Sequence, residues 1–220
     1  LAAGGGGNAG LAGHLPQAAD IDGFFFIAYS IENTAHRKEP DMTHHDLEPY
    51  IARICQEPNV HGKIIDPASV VTAPWVRFKC LFGCPYKHRY SCPPHTPTPA
   101  ETREVLDSYR RAILFHREEP AAKERGRNYM KHFETLIGLE GELFKDGYYK
   151  SFLMIAGPCT LCKECGIKEN LPCRFPDRTR PSMESCGIDV FQTVRNNGFF
   201  LKPLREKTES QNIYCLMLVD

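Results

Sequence analysis

The chain has 220 residues, 42% of them hydrophobic, enough to bury a sizeable core in one domain. Its 27 basic and 27 acidic side chains cancel, which argues against a general nucleic-acid binder, whose affinity rests on neutralising phosphates. No stretch approaches the ~18 consecutive apolar residues of a membrane span.

The stretch 1–10 is rich in Ala and Gly but has neither the charged region nor the apolar stretch of a signal peptide. Residues 1–20 are expected to be a flexible leader, 21–220 a single cluster-binding domain, and the protein cytoplasmic. The glycine run Gly4–Gly7 follows no strand and is no nucleotide fingerprint. Phe24–Ala28 is apolar and reads as a strand or buried turn. Asp46–Gln56 reads as a short helix with Leu47, Ile51 and Ile54 on one face. Trp75–Phe78 reads as a strand leading into a first group of cysteines. Thr98 begins a helix: it can cap, Pro99 suits the first turn, and Glu101 completes a capping box. Val105, Leu106 and Tyr109 supply that helix's apolar face. Ala112–Phe115 is a compact apolar strand. Pro120–Lys145 is a long helix with Met130, Phe133, Ile137 and Phe144 along one stripe, followed by Gly147, where a helix end favours glycine. Phe152–Ala156 is a strand delivering the chain into a second cysteine group. Pro181–Asn196 reads as a helix closed by Gly198, and Ile213–Val219 as a last strand. Alternating strands and helices predict an α/β fold, a mixed sheet flanked by helices with cysteine-rich iron–sulfur cluster loops at strand ends.

The ten cysteines stand at 55, 80, 84, 92, 159, 162, 165, 173, 186 and 215. Their short gaps suit metal ligation better than a disulfide framework, which belongs to shorter, exported chains. Cys159, Cys162 and Cys165 form C-x2-C-x2-C, with Cys173 seven residues on. A structural zinc takes two ligands from one tight turn and two from elsewhere. Three thiols at successive two-residue gaps crowd one small ion, whereas a cubane spreads them over separate irons. Cys80, Cys84 and Cys92 form the other group, with Gly83 permitting a turn. Three thiolates leave one iron of a cubane for Cys173, Cys186, His95 or an exogenous molecule. The zinc alternative there is a Cys3His site with His88 or His95.

These motifs resemble a known family. The matching residues are Cys80-Leu81-Phe82-Gly83-Cys84, Ser91-Cys92-Pro93-Pro94, Leu106, Tyr109 and Gly157-Pro158-Cys159-Thr160-Leu161-Cys162-Lys163-Glu164-Cys165. Arg180-Pro181-Ser182-Met183-Glu184 and Gly187-Ile188-Asp189-Val190 continue the likeness, which covers about residues 70–219. The chain is similar to the predicted metal-binding, cysteine-rich family of bacterial and archaeal proteins whose function is unassigned. That resemblance implies metal binding and an anaerobic context and supplies no substrate.

Cys55 and Cys215 read as small buried hydrophobes. His44–His45 reads as a solvated pair. Arg174, Arg178 and Arg180 are either a solvated basic loop or a set that stabilises an anionic cluster or recognises an acidic group. Asp189 and Arg195 are six apart, a poor spacing for a helical ion pair. The leading expectation is two [4Fe-4S] clusters on Cys80, Cys84, Cys92, Cys159, Cys162, Cys165, Cys173 and Cys186, serving electron transfer to a redox partner protein. One alternative is an enzyme whose open iron takes a small-molecule ligand as Lewis acid or sulfur carrier, near His88, Arg89 and His95. Another is a structural zinc module.

Overall fold

The computed structural model describes residues 46–119, 125–206 and 208–220. The described residues belong to one compact unit. The expectations for the leader, Phe24–Ala28, His44–His45 and Pro120 lie outside the described residues. Among those described, no helix is long and apolar enough to cross a membrane.

Helices α1 (Glu48–Ile54), α2 (Pro74–Leu81), α3 (Pro99–Asp107), α4 (Arg125–Lys145) and α5 (Val190–Asn196) flank a sheet of β1 (Val60–Ile65), β2 (Ala112–Glu119), β3 (Phe152–Met154) and β4 (Gln211–Leu218). The strand order is β1-β2-β4-β3. The α/β expectation holds, but the expected mixture of strand directions does not: all three ladders are antiparallel, with Phe115 opposite Cys215 and Leu153 opposite Met217. The two central strands are apolar on both faces because both faces are covered. Ile113, Phe115, Ile213, Cys215 and Met217 pack with Ile51 and Ile54 of α1 and Phe133, Leu136, Leu139 and Leu143 of α4. Ala112, Leu114, Tyr214, Leu216 and Leu218 pack on the other face with Leu106 of α3 and Val194 of α5. Each such fully buried large side chain contributes ~1.5–3 kcal/mol through loss of apolar surface to water.

α3 starts as its sequence predicts. Thr98 Oγ1 accepts from the Glu101 N–H and Glu101 answers to the Thr98 N–H. Val105, expected on its apolar face, is exposed instead. Two other expectations are corrected. Trp75–Phe78 is not a strand: Pro74 opens α2 there, after an extended Ala73. Only Val76 of that helix is buried, so its aromatic residues mimic a strand pattern while facing outward. The expected helix over 181–196 is instead a single 3₁₀ turn, Glu184–Cys186, followed by α5. Gly187 separates them. It has φ +79°, and a Cβ there would meet the Pro99 ring at 2.5 Å. Asp189 then caps α5 through the Gln192 N–H rather than pairing with Arg195.

α4 carries His132 inward to 1% exposure, and its Nδ1 has no hydrogen-bond partner among the described residues. Burial pushes its pKa down from 6.5 to about 4, the Arg117 guanidinium adds to this, and Glu57 and Glu119 oppose it. The unfolded chain therefore takes up this proton before the folded one does. Stability should be full above pH 6.5 and fall as pH drops towards about 4, by a total of ~3 kcal/mol. His132→Leu should flatten that acid limb in urea unfolding followed by circular dichroism. An unchanged limb would exclude the histidine as its source.

Candidate metal centre

The second cysteine group is held by a backbone frame. Beyond β3, the Ile155 N–H donates to the Pro181 carbonyl and the Ile155 carbonyl accepts from the Met183 N–H, each at 2.9 Å, which brings the two ends of the loop together. Within it, Cys159, Cys162, Cys165 and Cys173 line one small cavity of about 10 Å³. Thr179 and the segment 89–91 complete the wall. The Thr179 hydroxyl lies 3.3 Å from Cys173 Sγ and 3.8 Å from Cys159 Sγ. Its neighbour Arg180 fixes its place: Nε and Nη2 each donate to Glu140 at 2.8 Å, and Glu140 also accepts from the Leu153 N–H at 3.0 Å. The three arginines of this loop are thus bonded to protein. Arg174 donates to the Glu164 carbonyl at 2.9 Å, Arg178 to Glu134, and Arg180 to Glu140.

The first group stands on a helix end, not on the strand end its sequence suggested. Cys80 lies in the last turn of α2, with its Sγ 3.7 Å from the Glu184 carbonyl. Gly83 turns the chain with φ +87°, Cys84 follows, and Cys92 is buried. The thiols feel one another. Burial raises the Cys80 thiol, and the Cys84 sulfur raises it further. Cys92 is pushed up to about 11, first by burial, with Cys84 and Cys80 adding to it. Cys186 joins this neighbourhood through the 3₁₀ turn packed against α2. It is pushed up to about 11 by burial, against Ser185 and Arg77, with Glu184 and Cys80 raising it. Its side chain is fully enclosed in the apolar layer beneath the sheet. His88 and His95 are exposed, and the His95 ring meets the Tyr90 ring edge at 5.6 Å. Among the described residues no three Cys, His, Asp or Glu side chains converge tightly enough to hold one ion.

The two groups are joined. Arg89 donates to the Cys162 carbonyl at 3.3 Å and the Tyr90 hydroxyl to the Leu171 carbonyl at 2.7 Å, so the first loop forms a wall of the second cavity. Ser91 on that wall is buried, with its hydroxyl beside the Cys92 thiol, whose pKa it lowers against the rise from burial. Of the two cysteines expected to be small buried hydrophobes, Cys215 is buried and Cys55 only partly so. Cys215 is buried in β4 and pushed up to about 12 by burial, and Cys55 is half-buried against the same apolar layer.

Thr179, Ser91 and Glu184 had not been singled out as site residues from the sequence. Glu184 stands deep in the protein, with burial raising its pKa, yet solvent still reaches it through a cleft. Its Oε2 accepts from the Gly157 N–H at 3.4 Å. In the sequence it stands in the Arg180–Glu184 stretch of the family likeness, two residues before Cys186.

No curated protein and no solved structure matches the chain. The family described as Predicted metal-binding protein (DUF2284) matches residues 63–219, a span holding both cysteine groups and Cys186. The chain therefore belongs to this family of predicted metal-binding proteins.

Proposed function

We propose that the chain is an iron–sulfur protein holding two [4Fe-4S] clusters and passing electrons to a redox partner protein. Cys159, Cys162, Cys165 and Cys173 hold one cluster. Cys80, Cys84 and Cys92 hold the other, with the Cys186 thiol close enough to Cys80 to feel its charge. The observation that carries this reading is the cavity lined by four thiols. Thiolates spread around a space suit a cluster better than a single tetrahedral zinc. A bound cluster supplies one-electron chemistry. The protein's own part is to enclose it and to aim hydroxyl and backbone donors at sulfur, which tunes its potential. Thr179 is placed for this role between two of the thiols.

Anaerobic purification with quantitation of iron, sulfide and zinc tests the reading. The expected content is ~8 irons and ~8 sulfides per chain by the ferredoxin analogy. A zinc-loaded, iron-free preparation would overturn it. Thr179→Val should retain the iron and lower the reduction potential of one cluster, because a donor to sulfur favours the more negative reduced state. An unmoved potential would remove Thr179 from the tuning role.

A second reading is favoured by one observation. Cys80 lies on the edge of a large cleft, so an iron beside it could be left open to a small molecule, which would make the protein an enzyme. Reduced protein whose electron paramagnetic resonance shifts with added cyanide supports that reading. Four cysteine ligands on each cluster would exclude it.

A further inference from the structure

A cleft of about 660 Å³ runs from the start of β4, past α2 and α5, to Cys80 and Glu184. That volume is in the range of small-molecule sites, which are mostly apolar with a few placed polar groups. Its walls carry aromatic rings: Trp75 and Tyr86 on the α2 side, Tyr129 from α4, Phe191 from α5 and Tyr214 from β4. Trp75 and Tyr86 are each 46% exposed, as wall residues of an open site would be. Flat aromatic walls favour a planar ring, which stacks or meets them edge-on.

The charges around the cleft are asymmetric in their engagement. Its two carboxylates are already occupied by backbone donors, Glu184 by the Gly157 N–H and Asp189 by the Gln192 N–H. Its two lysines, Lys79 and Lys202, are exposed at the opening, and neither has an ion-pair partner among the described residues. Lys79 Nζ stands 5.0 Å from the Trp75 ring centroid, so the cation is held over a wall of the cleft. What the cleft leaves unsatisfied is positive charge beside aromatic surface.

We propose that this cleft binds a small aromatic anion, a planar ring system carrying a carboxylate or similar acidic group. The ring lies among Trp75, Tyr129, Phe191 and Tyr214, and the anionic group meets Lys79 and Lys202. Bound in this way, the ring neighbours Cys80 and so the first cysteine group. The inference goes beyond the iron–sulfur reading and does not depend on it, since it rests on the cleft's own walls and charges.

The test uses the full chain, purified anaerobically, with its iron content measured alongside. Calorimetric titration with 2-naphthoate, 2-naphthol and 2-naphthylmethylammonium compares one ring in anionic, neutral and cationic form. Saturable binding of naphthoate at one molecule per chain, in preference to the other two, is expected. The Lys79→Ala/Lys202→Ala double variant should weaken naphthoate about tenfold while leaving naphthol nearly unchanged, as loss of two partly screened ion pairs requires. Phe191→Ala should weaken all three. If Phe191→Ala fails to fold, the exposed lysine variant still decides the matter. Absence of saturable binding, equal affinity for the cation, or indifference to the lysine substitutions would overturn the proposal. Loss of iron with naphthoate binding intact would overturn only the cluster reading, because the two are measured separately.

Discussion

Replacing Cys162 with alanine is expected to remove about half of the iron and sulfide from an anaerobic preparation, one cubane of two under the ferredoxin analogy. Cys162 is one of four thiols around the second cavity, and its carbonyl also receives the Arg89 guanidinium. Ligand loss should therefore loosen the loop as well as empty it, since binding of a structural metal group is coupled to local folding. Cys215→Ala is the matched control. Its thiol is enclosed in the apolar layer between the sheet and α4, so iron should be retained while the lost sulfur costs some core packing. Iron, sulfide and thermal unfolding of both variants separate these outcomes. Full iron in Cys162→Ala together with depleted iron in Cys215→Ala would invert the ligand assignment.

Arg180→Ala is expected to destabilise the protein by about 3–5 kcal/mol, the usual consequence of leaving a largely buried charge without its partner. Arg180 and Glu140 are only 13% and 12% exposed in their side chains, and their contact is two-pronged. Glu140 simultaneously holds the start of β3 through the Leu153 N–H. A single carboxylate on α4 thereby fixes both the strand that enters the second cysteine loop and the arginine that ends it. Arg180→Lys should recover only part of the loss, because an ammonium cannot reproduce the planar fork. Urea unfolding measures the destabilisation. A loss under 1 kcal/mol would mean that the pair behaves as a surface ion pair. If the variant remains folded, its iron content then reports whether Thr179, one residue away, still stands at the cavity.

The sequence disclosed most where one local rule decided the outcome. The capping box at Thr98 and Glu101 marked the start of α3 because both partners lie within one turn. The two-residue gaps of Cys159, Cys162 and Cys165 marked a shared cavity because a short loop has little freedom to separate its side chains. Elements chosen by distant partners were less legible. β1 was missed because its core-facing positions are interrupted by Gly62, which is small so that Ile51 and Phe115 can close over it. The aromatic residues of α2 suit a strand, while its helical state rests on Pro74 and on packing against the turn at Glu184–Cys186. Thr179 carried no spacing signal at all. It becomes a site residue only because Arg180 reaches across to α4. Cys186 was grouped with the ligands on count alone, and its closeness to Cys80 was visible only in three dimensions.

The bonds from Arg89 and Tyr90 to the second loop have a thermodynamic corollary. A segment that belongs to one cysteine group is part of the enclosure of the other, so neither can be ordered without raising the order of its neighbour. If both groups are filled as proposed, their occupancy is linked, and linkage is reciprocal: whatever factor the filling of one contributes to the affinity of the other must be returned in full. Partial loading would then favour chains that are either full or empty over chains that are half-filled.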